Sequence, residues 1–387
     1  MLPTTRWLRD LVSIGSLNPM GRAIQGPNVY ENRVTDYLEG QFRELGVRYE
    51  RQPVAPRREN IVAYYEPAGA TSTLVFEVHQ DTVPTDHMTI DPFGAEIRDG
   101  RLYGRGACDV KGGMASMLGA FARLVKDKPA GSARVVLACT VDEEFTFLGV
   151  QRLVQDDLRG GCRGPVVAVV AEPTGLDIVH AHKGAVRWHL HTAGRSCHSS
   201  RPELGVNAIY HMATLLGHVE RFAAELRDRP PHPLLGLPTL SVGRIEGGTS
   251  VNTVPDRCHV EIDRRTLPGE LTAGIPGELA DYLRRHVSPL LEFTCSEPYL
   301  SCPALGNEGS ADLVARLTSV IDDVCRPPRV MAVPYGTDAS SLAEAGIPSV
   351  VFGPGSIDQA HTCDEWIDLA EVEAAGEILY RLALRMG

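Results

Sequence analysis

Residues 73–81 read TLVFEVHQD, an apolar stretch that ends in a histidine and an aspartate. Runs of similar length recur at residues 134–141, 166–170 and 349–352. None of them alternates between apolar and polar positions, as a strand with one wet face would. Short continuous runs rich in valine and leucine are typical of strands covered on both faces, so the sequence predicts a mainly parallel sheet.

Helical patterns separate and follow these runs. Apolar residues between positions 114 and 125 recur three, four and seven positions apart, which predicts an amphipathic helix between the first two strands. A last helix is predicted from Leu369 to Met386, with Asp368 as its N-cap and Glu371 completing a capping box. Strands that alternate with helices predict an α/β fold with helices on both faces of the sheet.

The segment from residue 183 to residue 295 has a different pattern. Apolar and polar residues alternate from Val186 to Thr192, which is typical of a strand with one wet face. A long helix, two strands, a second helix and a short strand follow, in the β-α-β-β-α-β order of a ferredoxin-like unit. The sequence therefore predicts an α+β domain, residues 183–295, inserted into a discontinuous α/β domain, residues 1–182 and 296–387.

Composition excludes several classes of partner for this chain of 387 residues. No apolar run approaches the length of a membrane span, and the N-terminus lacks the apolar stretch of a signal peptide. The formal net charge of −11, without basic blocks, argues against a nucleic-acid or anionic-membrane partner. Nine cysteines without a CxxC pair predict reduced thiols and a cytoplasmic location.

Titratable residues lie in five loops. Three of the loops directly follow predicted strands, one that carries Asp109 precedes the helix that begins near Met114, and one that carries His361 lies past the turn after the fourth run. In an open parallel sheet the carboxyl ends of the strands share one edge, where ligands bind. The residues concerned are His79, Asp81, Asp109, Glu143, Glu144, Glu172 and His361. Each motif alone has an ordinary structural interpretation, such as a strand-end histidine bonded to a surface carboxylate. Crowded together without a cation, these carboxylates would repel one another strongly, so the sequence predicts a metal site.

The types of ligand indicate the metal and part of the mechanism. Histidine and carboxylate ligands without a cysteine cluster suit zinc, and more loosely cobalt or manganese. Two histidines and three carboxylates are enough for two ions that share one bridging carboxylate and one bridging water. Asp81 can accept the second imidazole N–H of His79 and fix its tautomer. The pair Glu143 and Glu144 supplies a base beside a ligand.

The motifs that carry these residues resemble, in their order, those of the M20 family of dinuclear zinc amidohydrolases. They extend from Val78 to Trp366 and read VHQDTVP, GRGACDVKGGMAS, VDEEFTFLG, AEPTG, CHSSRPELGVNAI, GGTSVNTVPD, DRRTLPG, YGTDAS and FGPGSIDQAHTCDEW. The family includes acetylornithine deacetylase, succinyl-diaminopimelate desuccinylase, aminoacylase-1 and the glutamate carboxypeptidases. The resemblance implies a catalytic metal-binding domain with an inserted lid and dimerisation domain.

The resemblance also implies a role for each matching residue. Asp109 would bridge two divalent ions. The full set of implied ligands is His79, Asp109 and Glu172 for one ion, and Asp109, Glu144 and His361 for the other. Glu143 would be the general base, and Asp81 would orient His79.

Three further residues match family positions in the inserted domain. His198 matches the lid histidine that reaches the active site of the partner subunit and stabilises the tetrahedral oxyanion. Asn252 and Arg265 match positions that bind the carboxylate end of the substrate, a task that suits a bidentate arginine. Arg264 would face the site instead if the strand register slipped by one residue.

Some motifs differ from the commonest sequence of the family at the same positions. Phe145 and Thr146 follow the glutamate pair where a glycine is usual, and Tyr335-Gly336 replaces paired glycines. Both departures concern the substrate pocket more than the metal ligands. Glu172 stands where aminopeptidase members tend to carry aspartate, which favours the deacylase and carboxypeptidase side of the family.

The first functional hypothesis is an acetylornithine deacetylase-like hydrolase that acts on the amide of an N-acyl amino acid. A metal-bridging hydroxide would attack the carbonyl carbon while Glu143 accepts and returns the proton. The alternative is a dipeptidase, a carboxypeptidase or a succinyl-diaminopimelate desuccinylase that uses the same dinuclear site. A third class, an inactive scaffold, is disfavoured because every ligand and the base are present. The expected partners are a small-molecule substrate and a second copy of the chain.

Overall fold

The four apolar runs of the sequence form four adjacent parallel strands at the centre of an eight-stranded sheet. The computed structural model describes residues 3–156, 158 and 164–387. The helices are α1 (Pro3–Ser13), α2 (Asn32–Leu45), α3 (Gly112–Asp127), α4 (Leu148–Leu153), α5 (Ala208–Glu225), α6 (Ile275–His286), α7 (Ala311–Val324), α8 (Ala339–Glu344) and α9 (Leu369–Arg385).

The strands that precede residue 183 are β1 (Arg48–Ala55), β2 (Arg58–Tyr65), β3 (Thr73–His79), β4 (Glu96–Arg98), β5 (Arg101–Tyr103), β6 (Arg134–Thr140), β7 (Val166–Val170) and β8 (Ile178–His182). Those that follow are β9 (Gly184–Ala193), β10 (Thr239–Gly247), β11 (Arg257–Thr266), β12 (Phe293–Cys295), β13 (Leu300–Cys302), β14 (Val330–Val333), β15 (Ser349–Val351) and β16 (Trp366–Asp368). The chain divides into a first unit, residues 1–181, 306–332 and 337–387, and a second unit, residues 182–305 and 333–336.

The large sheet of the first unit has the strand order β1-β2-β6-β3-β7-β15-β8-β14. Strands β6, β3, β7 and β15 run parallel, whereas β2 pairs antiparallel with both β1 and β6. Every residue of these four parallel strands is buried, which explains why their sequences do not alternate. The prediction of a mainly parallel α/β sheet is confirmed.

Helices α1, α3 and α9 pack together in the main hydrophobic core. Met114, Leu118 and Phe121 of α3 are fully buried there, as their helical spacing predicts. Asp368 caps α9 by accepting a 2.8 Å hydrogen bond from the backbone N–H of Ala370. No helix in the described part of the chain has the length and apolar character needed to cross a membrane.

The predicted capping box at the start of α9 is only half correct. Glu371 does not reach back to the N–H of Asp368; its carboxylate accepts a 2.8 Å hydrogen bond from the backbone N–H of Gly355. Gly355 has a φ of +85°, a backbone conformation that glycine adopts without strain. The carboxylate of Glu371 therefore binds the loop of Gly355, 16 residues earlier, and not the helix end to which the sequence pattern assigned it.

The second unit contains strands β9 to β13 and helices α5 and α6. Its sheet has the order β10-β11-β9-β12, and β13 also pairs with β9. Alternate residues of β9 and β11 pack with α5 and α6 in a separate hydrophobic core, so the two helices lie on one face of the sheet. The predicted order of strands and helices is observed. The unit continues past the predicted boundary at residue 295 to Leu305, because β13 adds to the same sheet.

Candidate metal centre

The first unit brings the predicted metal ligands to one edge of its sheet. His79 is the last residue of β3, and Glu144 and Glu172 follow the ends of β6 and β7. Asp109 precedes α3, and His361 lies in the loop between β15 and β16. Because β3, β6, β7 and β15 are parallel, their carboxyl ends meet at the same edge, as expected.

Asp109 lies between the two histidines. Its Oδ1 is 3.2 Å from Nε2 of His79, and its Oδ2 is 3.3 Å from Nε2 of His361. Each carboxylate oxygen therefore faces a different imidazole. A carboxylate in this arrangement can offer one oxygen to each of two ions, which is the geometry of a bridging ligand.

The remaining acids lie beside the two histidines and form two groups of donors that share His79. Oε1 of Glu144 is 3.2 Å from Nε2 of His361, and Oε1 of Glu172 is 3.9 Å from Nε2 of His79. Donor atoms of His79, Asp109 and Glu144 lie within 4.8 Å of one another, as do those of His79, Glu143 and Glu172. The structure thus brings together all five residues assigned as ligands, and it adds Glu143 to their immediate neighbourhood.

Burial and mutual repulsion raise the pKa of three of these acids. Burial raises the pKa of Glu143 and of Glu172 well above the usual value of a glutamate, and the charges of Glu172 and Asp109, respectively, raise them further. Burial and the charge of Asp109 also raise the pKa of Glu144. Ionised carboxylates are held this close only at a cost that a cation would offset.

The histidines and Asp109 are shifted in the opposite sense. Burial alone would lower the pKa of His361, but its hydrogen bonds to Asp109 and Glu144 raise it to about 11. The contact with Asp109 likewise raises the pKa of His79 well above its usual value, against the effect of burial. In Asp109 the hydrogen bonds to both imidazoles outweigh burial and lower the pKa. Without metal the histidines thus serve as the counter-charges of the acids.

The donor set fits a pair of divalent cations. Two imidazole nitrogens and several carboxylate oxygens suit zinc, cobalt and manganese, and a divalent ion would replace the protons that the histidines hold. His361 adopts a left-handed backbone conformation with a φ of +62°. Such backbone strain in a non-glycine residue is concentrated at functional sites.

Asp81 makes different contacts from those expected of it. The Nδ1 atom of His79 lies 3.0 Å from the backbone oxygen of Asp81, whereas the nearest carboxylate oxygen is 3.7 Å away. That carboxylate accepts hydrogen bonds of 3.2 Å from the backbone N–H groups of both Glu143 and Glu144, and one of 2.8 Å from Asn18. Asp81 therefore fixes the backbone of the glutamate pair, and its main chain orients the imidazole.

The sequence interpretation missed the buried residue Glu365. Its carboxylate accepts hydrogen bonds from the backbone N–H groups of Gly106, Cys108 and Asp109, at 2.9–3.0 Å, and pairs with Arg105 at 2.5 Å. These contacts hold the loop that carries Asp109. Glu365 belongs to the motif HTCDEW, four residues after His361. The neighbouring sequence does not show that its carboxylate binds the loop of Asp109, which is far away in the chain.

A second buried group of acids lies behind the glutamate pair and was also missed. Arg58 donates to Asp142 at 2.5 Å and hydrogen bonds with Glu31. Burial, with a smaller contribution from the charge of Asp81, raises the pKa of Glu31 to about 7. Asp142 also accepts a 2.9 Å hydrogen bond from Asn18, the same amide that holds Asp81. The loop of Glu143 and Glu144 is thus fixed on both sides by buried polar groups.

The three residues assigned to substrate lie in the second unit. His198 is exposed, and its Nδ1 lies 2.8 Å from the hydroxyl of Ser200. The backbone oxygen of Asn252 accepts a 3.0 Å hydrogen bond from Ser199, so His198 and Asn252 belong to adjoining segments. Arg265 lies near the far end of β11 and pairs with Asp263 at 2.8 Å. The second unit of one chain therefore does not bring Arg265 together with the other two.

The strand register distinguishes Arg265 from its neighbour. Arg264 is fully buried and donates to Glu270 at 2.7 Å, whereas the side chain of Arg265 is 28% exposed. Arg265 pairs with Ala185 and Arg264 with Val186 across β11 and β9. Because alternate residues of a strand point to opposite faces, the alternative with Arg264 in a substrate site has no support.

Known proteins resemble this chain over nearly its full length. Acetylornithine deacetylase from Yersinia pseudotuberculosis is 33% identical over 98% of the chain and 96% of its own length. The fold matches an M20 family metallo-carboxypeptidase from Sulfolobus solfataricus with a TM-score of 0.81 at 18% identity, covering 100% and 99% of the two chains. It also matches a dinuclear metal-binding M20 peptidase from Bacillus subtilis with a TM-score of 0.70 at 16% identity, covering 99% and 97%.

The sequence also matches the family model of peptidase family M20/M25/M40 over residues 75–385. That range contains every residue that the motifs assigned to metal, to the base and to substrate. The family resemblance drawn from the motifs is confirmed. Matched over most of its length by the family model, and a third identical to deacetylases of similar length, the chain belongs to peptidase family M20/M25/M40.

Proposed function

We propose that this protein hydrolyses the amide bond of an N-acyl amino acid in a metal-dependent reaction, as an acetylornithine deacetylase-like enzyme. The observation that carries the proposal is Asp109, whose two oxygens each face one histidine. The 33% identity to acetylornithine deacetylases over nearly the whole chain supports the deacylase side of the family.

Five residues would hold the metal ions. Asp109 would be shared, His79 and Glu172 would complete one site, and Glu144 and His361 the other. Zinc is the proposed ion because nitrogen and oxygen donors without cysteine suit it. The bound ions would supply Lewis acidity, which acidifies a water molecule and polarises the scissile carbonyl.

Glu143 is the proposed general base. It lies among the proposed ligands without being needed to complete either set, and its backbone is fixed by Asp81. Burial raises its pKa, and nearby cations would moderate that shift, so the group is suited to accept a proton from the attacking water and then donate it to the leaving nitrogen. One residue thereby serves both proton transfers.

Arg265 and Asn252 are proposed to bind the free carboxylate of the amino acid. A guanidinium offers parallel N–H donors that match a carboxylate. Arg265 now pairs with Asp263, and both side chains are 28% exposed, so a substrate carboxylate can compete for the same donors. A substrate without that carboxylate cannot form this ion pair with Arg265 and gains no binding energy from it.

A homodimer is proposed because one chain separates these residues. Asn252 precedes β11 while Arg265 lies near its end, and the eight residue steps from Arg257 to Arg265 span about 26 Å of extended chain. His198 adjoins Asn252. For one substrate to meet all three side chains, two copies of the second unit are needed. Strand β10, which is largely exposed and lies at one end of the sheet order, offers an edge for association.

A cytoplasmic location is proposed from the cysteines. The eight cysteines in the described part of the chain are unpaired, and Cys325 and Cys363 are exposed. Exposed free thiols persist in a reducing compartment and become oxidised outside it. Fractionation of the cells that make the protein, with immunodetection, tests this assignment.

The proposed function is tested with a panel of substrates after zinc, cobalt or manganese is supplied. The panel contains N-acetylated amino acids including acetylornithine, N-succinyl-diaminopimelate and dipeptides. We expect the highest kcat/KM for an N-acetyl amino acid and no turnover after chelation. Turnover of dipeptides alone would transfer the assignment to a peptidase, and turnover that survives chelation would remove the metal from the reaction.

A further inference from the structure

The second unit carries three histidines on the face of its sheet opposite to α5 and α6. His189 and His191 lie on β9, and His259 lies on the neighbouring strand β11. Trp188 and the other even-numbered residues of β9 face the hydrophobic core, so the histidines face away from it. The register pairs His191 with His259, and His189 with Glu261. Three imidazoles and a carboxylate therefore occupy adjacent positions on two hydrogen-bonded strands.

Their side chains converge. Each pair among His189, His191 and His259 has ring centroids 5.6 Å apart. One donor atom each from His189, His259 and Glu261 lies within 4.8 Å of the others. Zinc binds nitrogen and oxygen ligands at about 2.0–2.2 Å, so donors on one ion are at most about 4.4 Å apart. The separation in the structure exceeds this limit by at most a few tenths of an ångström, so small side-chain rotations would bring this set onto one ion.

The donors are accessible to a ligand. Among the residues that the structure describes, none hydrogen bonds with the ring nitrogens of His191 or His259. Nε2 of His189 lies 3.9 Å from Oε1 of Glu261. The same oxygen accepts a 3.1 Å hydrogen bond from Arg244, whose side chain is 65% exposed and can turn into solvent.

Tyr299 supports the cluster from the side. Its ring packs against His189 with centroids 5.2 Å apart, and its hydroxyl lies 3.4 Å from Oε2 of Glu261. Contacts of this kind, behind the donor atoms, orient the ligands of metal sites. Oε1 of Glu261, the oxygen that faces His189, is left for a metal ion once Arg244 turns away.

We propose that His189, His259 and Glu261, joined by His191, bind one transition-metal ion of the zinc class. The site shares no residue with the centre around Asp109, since it is built wholly from residues of the second unit. The ion would join β9 and β11 by bonds between side chains, in addition to their backbone ladder. Because the folded sheet brings the donors together and the unfolded chain does not, the ion would stabilise the second unit increasingly as its concentration rises.

The first test counts metal ions per chain. Full-length protein is dialysed against buffer with excess Zn²⁺ and then against trace Zn²⁺, and zinc is measured by mass spectrometry. The test variant is His189→Gln with His259→Gln, and the matched control is His218→Gln, an imidazole of α5 outside the cluster. We expect the wild type and the control to hold one ion more than the double variant, with equal turnover in all three. Equal zinc content in all three overturns the proposal.

A second measurement uses the unaltered protein and so does not depend on the folding of a variant. Diethyl pyrocarbonate labels accessible imidazoles, and mass spectrometry of peptides locates the label. With Zn²⁺ present, labelling of His189, His191 and His259 should fall at least several-fold relative to the chelated protein, while labelling of His218 stays constant. Labelling of the three histidines that does not change with Zn²⁺ overturns the proposal.

Discussion

The carboxylate of Glu365 accepts a 3.0 Å hydrogen bond from the backbone N–H of Asp109, which lies 256 residues earlier in the chain. Glu365 is fully buried, and it also accepts from the N–H groups of Gly106 and Cys108. Gly106 has a φ of +80°, and a Cβ there would lie 2.5 Å from the side chain of Thr82. The proposed bridging ligand is therefore held in place by a distant acid and a tight turn.

Glu365→Gln should weaken metal binding. The amide retains one acceptor oxygen but places an N–H₂ group against backbone donors, so the loop that holds Asp109 loses its alignment. We expect zinc affinity to fall by about 10- to 100-fold, as for other groups that support metal ligands. Competition with a chromogenic chelator measures this change. Glu377→Gln, a half-buried position on α9 that pairs with Arg123 and Arg381, is the control. Equal affinity in both variants would remove Glu365 from this role.

Glu143→Gln should abolish turnover while both metal ions remain bound. The amide has nearly the same shape as the acid but cannot accept the proton, and loss of general-base catalysis costs about 10²- to 10⁴-fold in kcat. Zinc content and kcat of the same preparation provide the measurement, with the exposed Glu96→Gln as control. Full turnover in Glu143→Gln would assign the proton transfer to another group.

Arg265→Ala should mainly raise KM for substrates that carry a free α-carboxylate. Hydrogen bonds to a charged group contribute about 1.5–3 kcal/mol, which corresponds to roughly a 10- to 150-fold loss in kcat/KM. The comparison is between an N-acetyl amino acid and its amide, which lacks the carboxylate charge. Arg257→Ala, on the same strand but 83% exposed, is the control. An equal loss on both substrates would contradict the assignment.

Mixing two inactive variants tests the contribution of His198 across subunits. In a heterodimer of His198→Ala with Glu143→Gln, one active site would combine an intact Glu143 with an intact His198 of the partner subunit. After subunit exchange, we expect about one quarter of wild-type activity, since half of the dimers have one of two sites intact. If His198 acted within its own chain, no site would be complete and mixing would restore nothing. Light scattering verifies that the samples are dimers.

The stabilising effect of metal should grow as the pH rises. In the metal-free protein the pKa of His361 is raised from the ordinary histidine value of 6.5 to about 11, because its hydrogen bonds to Asp109 and Glu144 outweigh burial. A raised histidine pKa stabilises the fold below the unfolded pKa, and that contribution is lost as the pH rises toward the folded value. Burial raises the pKa of Glu172, so this group also lowers the stability of the metal-free fold as the pH rises above 4.5, the ordinary value of a glutamate.

Thermal unfolding measures this difference. Between about pH 6 and about pH 9 the Tm of the chelated protein should fall, whereas the zinc-loaded protein, whose ligands have already lost their protons, should change less. The gap between the two Tm values should therefore widen with pH. A gap that stays constant or narrows would show that these histidines are not protonated in the metal-free fold.

The local sequence pattern was sufficient for most of the fold. The apolar runs that end at His79 and precede Glu143 and Glu172 form buried strands, because residues covered on both faces cannot alternate. The alternation of apolar and polar residues in β9 likewise predicted which face of the strand lies away from the hydrophobic core. The extent of the second unit was not predicted, since β13 belongs to it only through pairing with β9.

Sequence by itself therefore determined the elements, the family and the residues placed at the sheet edge, since each of these depends on short-range periodicity or on motifs. Only the tertiary structure decided which groups hold those residues in place. Glu365 supports Asp109, Glu371 binds Gly355 and not its own helix end, and Asp81 fixes the glutamate pair through its carboxylate. The physical reason is that a buried polar group must find a partner, and its partner is set by the packing of distant segments rather than by neighbours in the chain.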